Sequence, residues 1–192
     1  MAAAWPTAAR DLDDVRAALD YLLGVERRRG AAMCPSRSQK GVVVCDRSPL
    51  SCIAFQHATG RLDVPGDAQL AVELFATAAE RGEIIEPDAY LYLHVDRATA
   101  LARQAVRGPV LACLMDSGVL AATQAFRERF LDTIPSGRRL VLDGAQPRLA
   151  LIEQAARFIQ TQQTLGPRPP GAWRAALAWL EPQGEAARAG RP

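Results

Sequence analysis

An α/β layered domain built on a parallel sheet is what this sequence predicts, and three observations carry that prediction. Short apolar runs rich in β-branched and aromatic residues alternate with longer stretches of helical periodicity. The runs are nearly continuous in apolar character, as strands covered on both faces are. Each ends in an acid, Asp46, Asp96 or Asp143, and the carboxyl ends of parallel strands are where such domains bind ligands.

Leu12, Val15, Leu19, Leu22 and Leu23 recur at helical spacing behind the acids Asp11 to Asp14, so residues 11 to 29 read as an amphipathic helix ending near Gly30. Arg27, Arg28 and Arg29 stand in its last turn, where cations suit the helix dipole. GAAMCPSRSQK, residues 30 to 40, reads as a loop from its Gly, Pro and Ser. GVVVCD, residues 41 to 46, reads as a strand buried on both faces. Helical segments follow at about 49 to 60 and 66 to 82, the second closed by Arg81-Gly82. AYLYLHVD, 89 to 96, is the next strand; a helix from Arg97 to Arg107 stops at Gly108-Pro109. A helix over about 117 to 132 leads through a Pro-Ser-Gly turn to a third strand, RRLVLDG, 138 to 144, and a last helix covers about 147 to 162. One domain over residues 1 to 165 is expected. Residues 166 to 192, rich in Pro, Gly, Ala and Arg, are expected to form a mobile tail with one helical patch, whose Trp173 and Trp179 dock on the domain or meet a partner.

At 192 residues the chain can bury a core. Lys+Arg 23 against Asp+Glu 21 gives a net charge of +2, too small to argue for nucleic acid or a membrane surface from charge alone. Four cysteines, Cys34, Cys45, Cys52 and Cys113, form no C-x-x-C pair, and His57 and His94 stand apart; neither a metal site nor a disulfide framework is expected. No apolar run approaches the ~20 residues that cross a bilayer, and acids follow closely on MAAAWPTAAR, so a cytoplasmic protein without a membrane partner is expected.

VVVCDRSPLSCIAFQ, 42 to 56, carries the chemistry. Asp46 and Arg47 fall at a strand end, where a carboxylate can take a hydroxyl proton or orient a metal-bound water and a guanidinium can grip a phosphate in a fork. Ser51 and Gln56, on the helix that follows, can hydrogen-bond a polar ring edge. A plainer account fits the dipeptide equally well: Asp46 caps the helix opening at Ser48-Pro49, and Arg47 pairs with a surface acid.

The run D-R-x-x-x-S-x-x-x-x-Q, formed by Asp46, Arg47, Ser51 and Gln56, resembles the D-R-[YH]-x-x-S-x-x-A-Y-Q motif of thymidylate kinases. EPDAYLYLHVDRATALARQAVRG, 86 to 108, is similar to that family's K-P-D-x-x-x-Y-L-x-V-D-P-x-x-A-L-x-R-x-x-x-R-G segment; FRERFL resembles its V-R-E-x-Y-L, RRLVLDGAQP its strand ending in I-D-A, and LLGVERRRG its L-L-F-x-A-x-R. The resemblance spans residues 20 to 155. It implies a three-layer P-loop kinase-like fold, a parallel sheet with helices on both faces, and phosphoryl transfer from ATP to dTMP with Mg2+, a step of dTTP biosynthesis. By the same carry-over Asp46, Arg47, Arg103 and Arg107 are catalytic; Arg27, Arg47, Ser51 and Gln56 bind the acceptor; and Gly144, Ala145 and Gln146 lie under the adenine. Leu23 replaces the family's base-stacking Phe. A homodimer is implied as well. D-R-S-P also resembles the D-R-H-P of viral thymidine kinases, which leaves a deoxynucleoside as an alternative acceptor.

The sequence contains no G-x-x-x-x-G-K-[ST] loop to cradle donor phosphates, so the expected fold lacks the N-terminal strand, P-loop and helix. That strand is central in the family's sheet. Without it, two buried edges face each other, each unpaired backbone group costing about 1–3 kcal/mol against a total stability of ~5–15 kcal/mol. The readings are therefore a truncated or P-loop-less kinase, a catalytically inactive nucleotide-binding or interaction relative, and, from another class, a basic adaptor touching nucleic acid through Arg27 to Arg29 and Arg37 to Lys40.

Overall fold

The computed structural model describes residues 11–37, 42–62, 64–107, 116–169 and 171–180; the side chains of 34–37, 104, 105 and 107 lie outside the described set. Helix α1, Leu12–Arg37, begins where the Asp11 carboxylate accepts the Asp14 amide at 2.8 Å, with Asp13 and Asp14 in its first turn. Its stripe of Val15, Leu19 and Leu23 is buried. The helix does not end at Gly30 as expected; it continues to Arg37. A Cβ on Gly30 would stand 3.4 Å from the Glu83 carbonyl oxygen, so this glycine lets the helix pack closely against backbone, a use that resembles a stop signal in sequence.

Val42–Cys45 corrects a second expectation. These residues are extended but belong to no strand, and all four are exposed, Val44 to 71%. A β-branched run becomes a strand only beside another strand, and it has no ladder neighbour among the described residues. The sheet there has two strands, β1 Tyr90–His94 and β2 Arg139–Asp143, parallel, with Tyr90 opposite Arg139 and His94 opposite Asp143. The architecture is mixed α/β and mostly helical, and the expected three-layer sheet is not seen among these residues. Cover is incomplete on both faces: Tyr90 is buried while Val141 on the same face is exposed, and Leu142 is buried while Leu91 and Leu93 on the other face are exposed.

The remaining helices are α2 Pro49–Gly60, α3 Ala68–Glu80, α4 Arg97–Arg107, α5 Ser117–Asp132, α6 Arg148–Leu165 and α7 Ala172–Leu177. A 3-10 turn, Ser136–Arg138, leads into β2. Side chains set several starts: Asp67 accepts from Leu70 N–H at 3.0 Å, Asp96 from Thr99 N–H at 2.9 Å, and Asp116 from Val119 N–H at 3.0 Å. None of the described helices is long and apolar enough to cross a membrane.

The core joins α1, α2, α3 and α5 through Leu19, Ile53, Phe75, Phe126 and Phe130. Part of the stretch read as a tail lies in it: Trp173 is fully buried and donates its indole N–H to the Tyr90 hydroxyl. The Tyr90 ring in turn meets Phe130 edge-on at 5.0 Å. Arg174 Nε reaches Glu80 Oε1 at 2.7 Å, fastening α7 to α3. Trp179 packs against His57 and Phe126, with the Arg129 guanidinium 4.3 Å above its ring.

Trp173→Ala should lower unfolding stability by about 3–5 kcal/mol in urea titrations; a loss too small to resolve would show that α7 is not part of the cooperative unit. Burial first, then the charges of Arg61 and Arg129, hold the His57 imidazole below its ordinary 6.5. The unfolded chain thus takes the proton more readily. This contribution to stability is complete above about pH 6.5 and fades as pH falls through the lower folded value. Urea midpoints measured from pH 7.5 to 5 should fall, and should fall less in His57→Phe.

Candidate functional site

The segment Val42–Cys45 turns into α2 through Asp46, Arg47 and Ser48. Arg47 has φ of 63°, the only positive value for a non-glycine among the described residues. Left-handed backbone costs an L-residue roughly 1–2 kcal/mol, so contacts around it must hold it there. One such contact is present: Arg29 Nη1 donates to the Arg47 carbonyl oxygen at 3.3 Å. Arg29 is also paired with Glu26, one turn earlier on α1, at 3.0 Å. Ser48, extended at φ −142°, holds the N-cap position of α2 without a side-chain bond, and Pro49 follows in the first turn. Asp46 is therefore not the cap. Its carboxylate is exposed, and it makes no hydrogen bond or ion pair among the described residues.

Three further groups bear on this junction. Ser51 lies half-buried on the first turn of α2, its amide bonded to the Ser48 carbonyl at 2.9 Å. Next to it, burial and then the Glu26 carboxylate push the Cys52 thiol up to about 11, while Arg47 and Arg29 draw it down. Glu26 is itself raised, chiefly by burial, with Arg29 opposing. Sequence reasoning singled out Arg47 and Ser51 but missed Glu26, Arg29 in this role, and Cys52. The available signal was the i, i+3 spacing of Glu26 and Arg29, which puts the two on one helix face.

Other expected site residues are placed differently. Arg27 turns to Glu83, its Nε 2.8 Å from Oε2, at the rim of a cavity of about 370 Å³ that Glu86, Asp88 and Arg168 also line. Leu23, at the place of the family's stacking ring, is a core residue only 5% exposed. Gln56 is buried, and its Oε1 accepts the Asp67 amide at 3.0 Å, tying α2 to the start of α3. The Arg107 side chain lies outside the described residues, as do the side chains of 37 to 40 and residues 108–115 and 181–192.

A second group gathers at the ends of β1 and β2. Arg103 Nη2 donates to the Gly144 carbonyl at 3.1 Å, bringing together two expected site residues 41 positions apart. Gly144 is buried, and its amide donates to the His94 carbonyl at 2.6 Å. A Cβ there would lie 2.6 Å from Val95 Cγ2 and 2.8 Å from His94 O, so only glycine fits. The Ala145 amide donates to Asp143 Oδ1 at 2.9 Å, and Gln154 donates to Gln146 Oε1 at 2.6 Å. Asp96 accepts both the amide and the hydroxyl of Thr99, bonds that hold its carboxyl below the usual range.

Magnesium takes one or two protein carboxylates and completes its shell with waters and phosphate oxygens; exposed Asp46 fits that share. Among the described residues no group of three or more His, Cys, Asp or Glu converges as an all-protein metal cage would. Ala145 and Gln146 are exposed beside buried Gly144.

The family model for thymidylate kinase matches residues 8–155, well over half of the chain. The chain belongs to the thymidylate kinase family. No curated protein and no solved structure gives a match.

Gly144→Ala should lower stability by about 1–3 kcal/mol, measured by thermal or urea unfolding, because the methyl group displaces either Val95 or the His94 carbonyl. An unchanged midpoint would show that the turn relaxes freely.

Proposed function

We propose that the junction at Asp46-Arg47 is the acceptor site of a nucleotide kinase whose acceptor is dTMP and whose donor is ATP. The observation that carries this reading is the conformation of Arg47, a guanidinium-bearing residue held in a strained backbone state where the chain enters α2. Such strain gathers at ligand clamps. Family membership gives the class of ligand.

In this reading Arg47 holds the acceptor phosphate through paired N–H donors. Ser51 and the amide nitrogen of Gln56 face the pyrimidine edge, with Arg27 released from Glu83 as the base enters. Asp46 would hold Mg2+ through its waters, and the metal when bound would supply neutralisation of phosphate charge. Arg103 and Arg107 meet the donor phosphates and the charge that develops during transfer, while Gly144, Ala145 and Gln146 support the adenine. The second reading, a relative that binds nucleotide without transferring phosphate, shares the acceptor half of this site.

Calorimetric titration of the full chain with dTMP tests the proposal. Binding should be weakened roughly 10- to 100-fold by Arg47→Ala, as loss of a charged hydrogen-bond pair implies, with the unfolding midpoint retained. Equal affinity in the variant, or none in the parent chain, would sink the assignment. Binding of dTMP without ATP-dependent formation of dTDP would select the second reading.

A further inference from the structure

Arg47 needs a device that keeps its backbone left-handed, and α1 supplies one. Arg29 Nη1 carries two hydrogens. One donates to Glu26 Oε2 at 3.3 Å, with Oε1 of the same carboxylate 3.0 Å from the nitrogen, and the other to the Arg47 carbonyl oxygen, 3.3 Å away. The Glu26 side chain is only 14% exposed and that of Arg29 34%, so the pair is partly withdrawn from water and its geometry is less free than that of a surface ion pair. A guanidinium fixed by a carboxylate on its own helix is a rigid donor. Glu26 also offsets the repulsion that a lone Arg29 would exert on Arg47.

We propose that Arg29 is a positioning residue: held by Glu26, it fixes the Arg47 carbonyl and so aims the Arg47 side chain at the phosphate of the acceptor nucleotide. This rests on the acceptor-site reading above. In this arrangement Arg29 acts on main chain, its Nη1 hydrogens directed at Glu26 and at the Arg47 carbonyl oxygen. Its influence therefore passes through Arg47 and concerns the phosphate, not the base. The Cys52 thiol on α2 feels the charges of Glu26, Arg47 and Arg29 together.

The test measures the affinities of the full chain for dTMP and for thymidine, which lacks the phosphate, in Arg29→Ala, Arg29→Lys, Arg47→Ala and the Arg29→Ala, Arg47→Ala double variant. Arg29→Ala should weaken dTMP binding about tenfold and leave thymidine binding unchanged. Arg29→Lys should recover part of the loss. In the double variant Arg29→Ala should add nothing to Arg47→Ala. An additive loss there would make Arg29 a direct ligand contact, and unchanged dTMP affinity in Arg29→Ala would leave it no role; either result overturns the proposal while the acceptor site stands. If Arg47→Ala itself has no effect, or the parent chain binds no dTMP, the acceptor-site reading and this one fall together. Because Arg29→Ala leaves the Glu26 carboxylate buried and can cost the fold, the paired variant Glu26→Met, Arg29→Met, which removes both charges at similar volume, should show the same selective loss of dTMP affinity.

Discussion

The hydrogen bond from the Trp173 indole to the Tyr90 hydroxyl is the interaction on which the rest of the arrangement depends. A fully buried indole N–H needs an acceptor, and the Tyr90 hydroxyl oxygen supplies it. Tyr90 is the first residue of β1, and its ring is braced edge-on by Phe130 of α5. One contact thereby sets the height of β1 between α5 and α7. β2 is registered to β1 residue by residue, so the loop from Asp143 to Gln146, and the Arg103 that reaches it, inherit that alignment.

Three strand-end acids, equivalent in sequence, have three different tasks. Asp96 takes two bonds from Thr99 and starts α4. Asp143 accepts the Ala145 amide and shapes a turn. Asp46 starts no helix and shapes no turn, and its carboxylate faces outward. An acid without a backbone duty is free to meet a ligand, and the acceptor site proposed above lies at this 46–47 junction. The electrostatics there are balanced locally, with Glu26 set among Arg29, Arg47 and Cys52.

The helices were largely legible in the sequence because each combines periodicity with a boundary residue: Pro49 for α2, Asp67 for α3, Asp96 for α4 and Asp116 for α5. The overrun of α1 past Gly30 was not, since a glycine that ends a helix and one that admits a neighbouring backbone look alike until the neighbour is known. Val42–Cys45 misled for a related reason: strand propensity is local, but pairing is not. Of the proposed site, Arg47 and Ser51 were singled out by the resemblance of their motif, since spacing alone left the helix-cap account of the dipeptide open. The engagement of Gln56 with Asp67, of Arg27 with Glu83 and of Arg29 with the Arg47 carbonyl could not be read from the sequence, because these partners are 11, 56 and 18 residues apart.

The exposed valines at 42 to 44 also bear on the physical behaviour of the chain in solution. An extended β-branched run open to water is a template for strand addition by any chain that approaches it. Leu91, Leu93 and Val141 present further apolar surface on the small sheet. Pairing of copies along this run would grow with concentration. The residues that lead the backbone into the arginine turn are thus also an exposed edge that another chain can join.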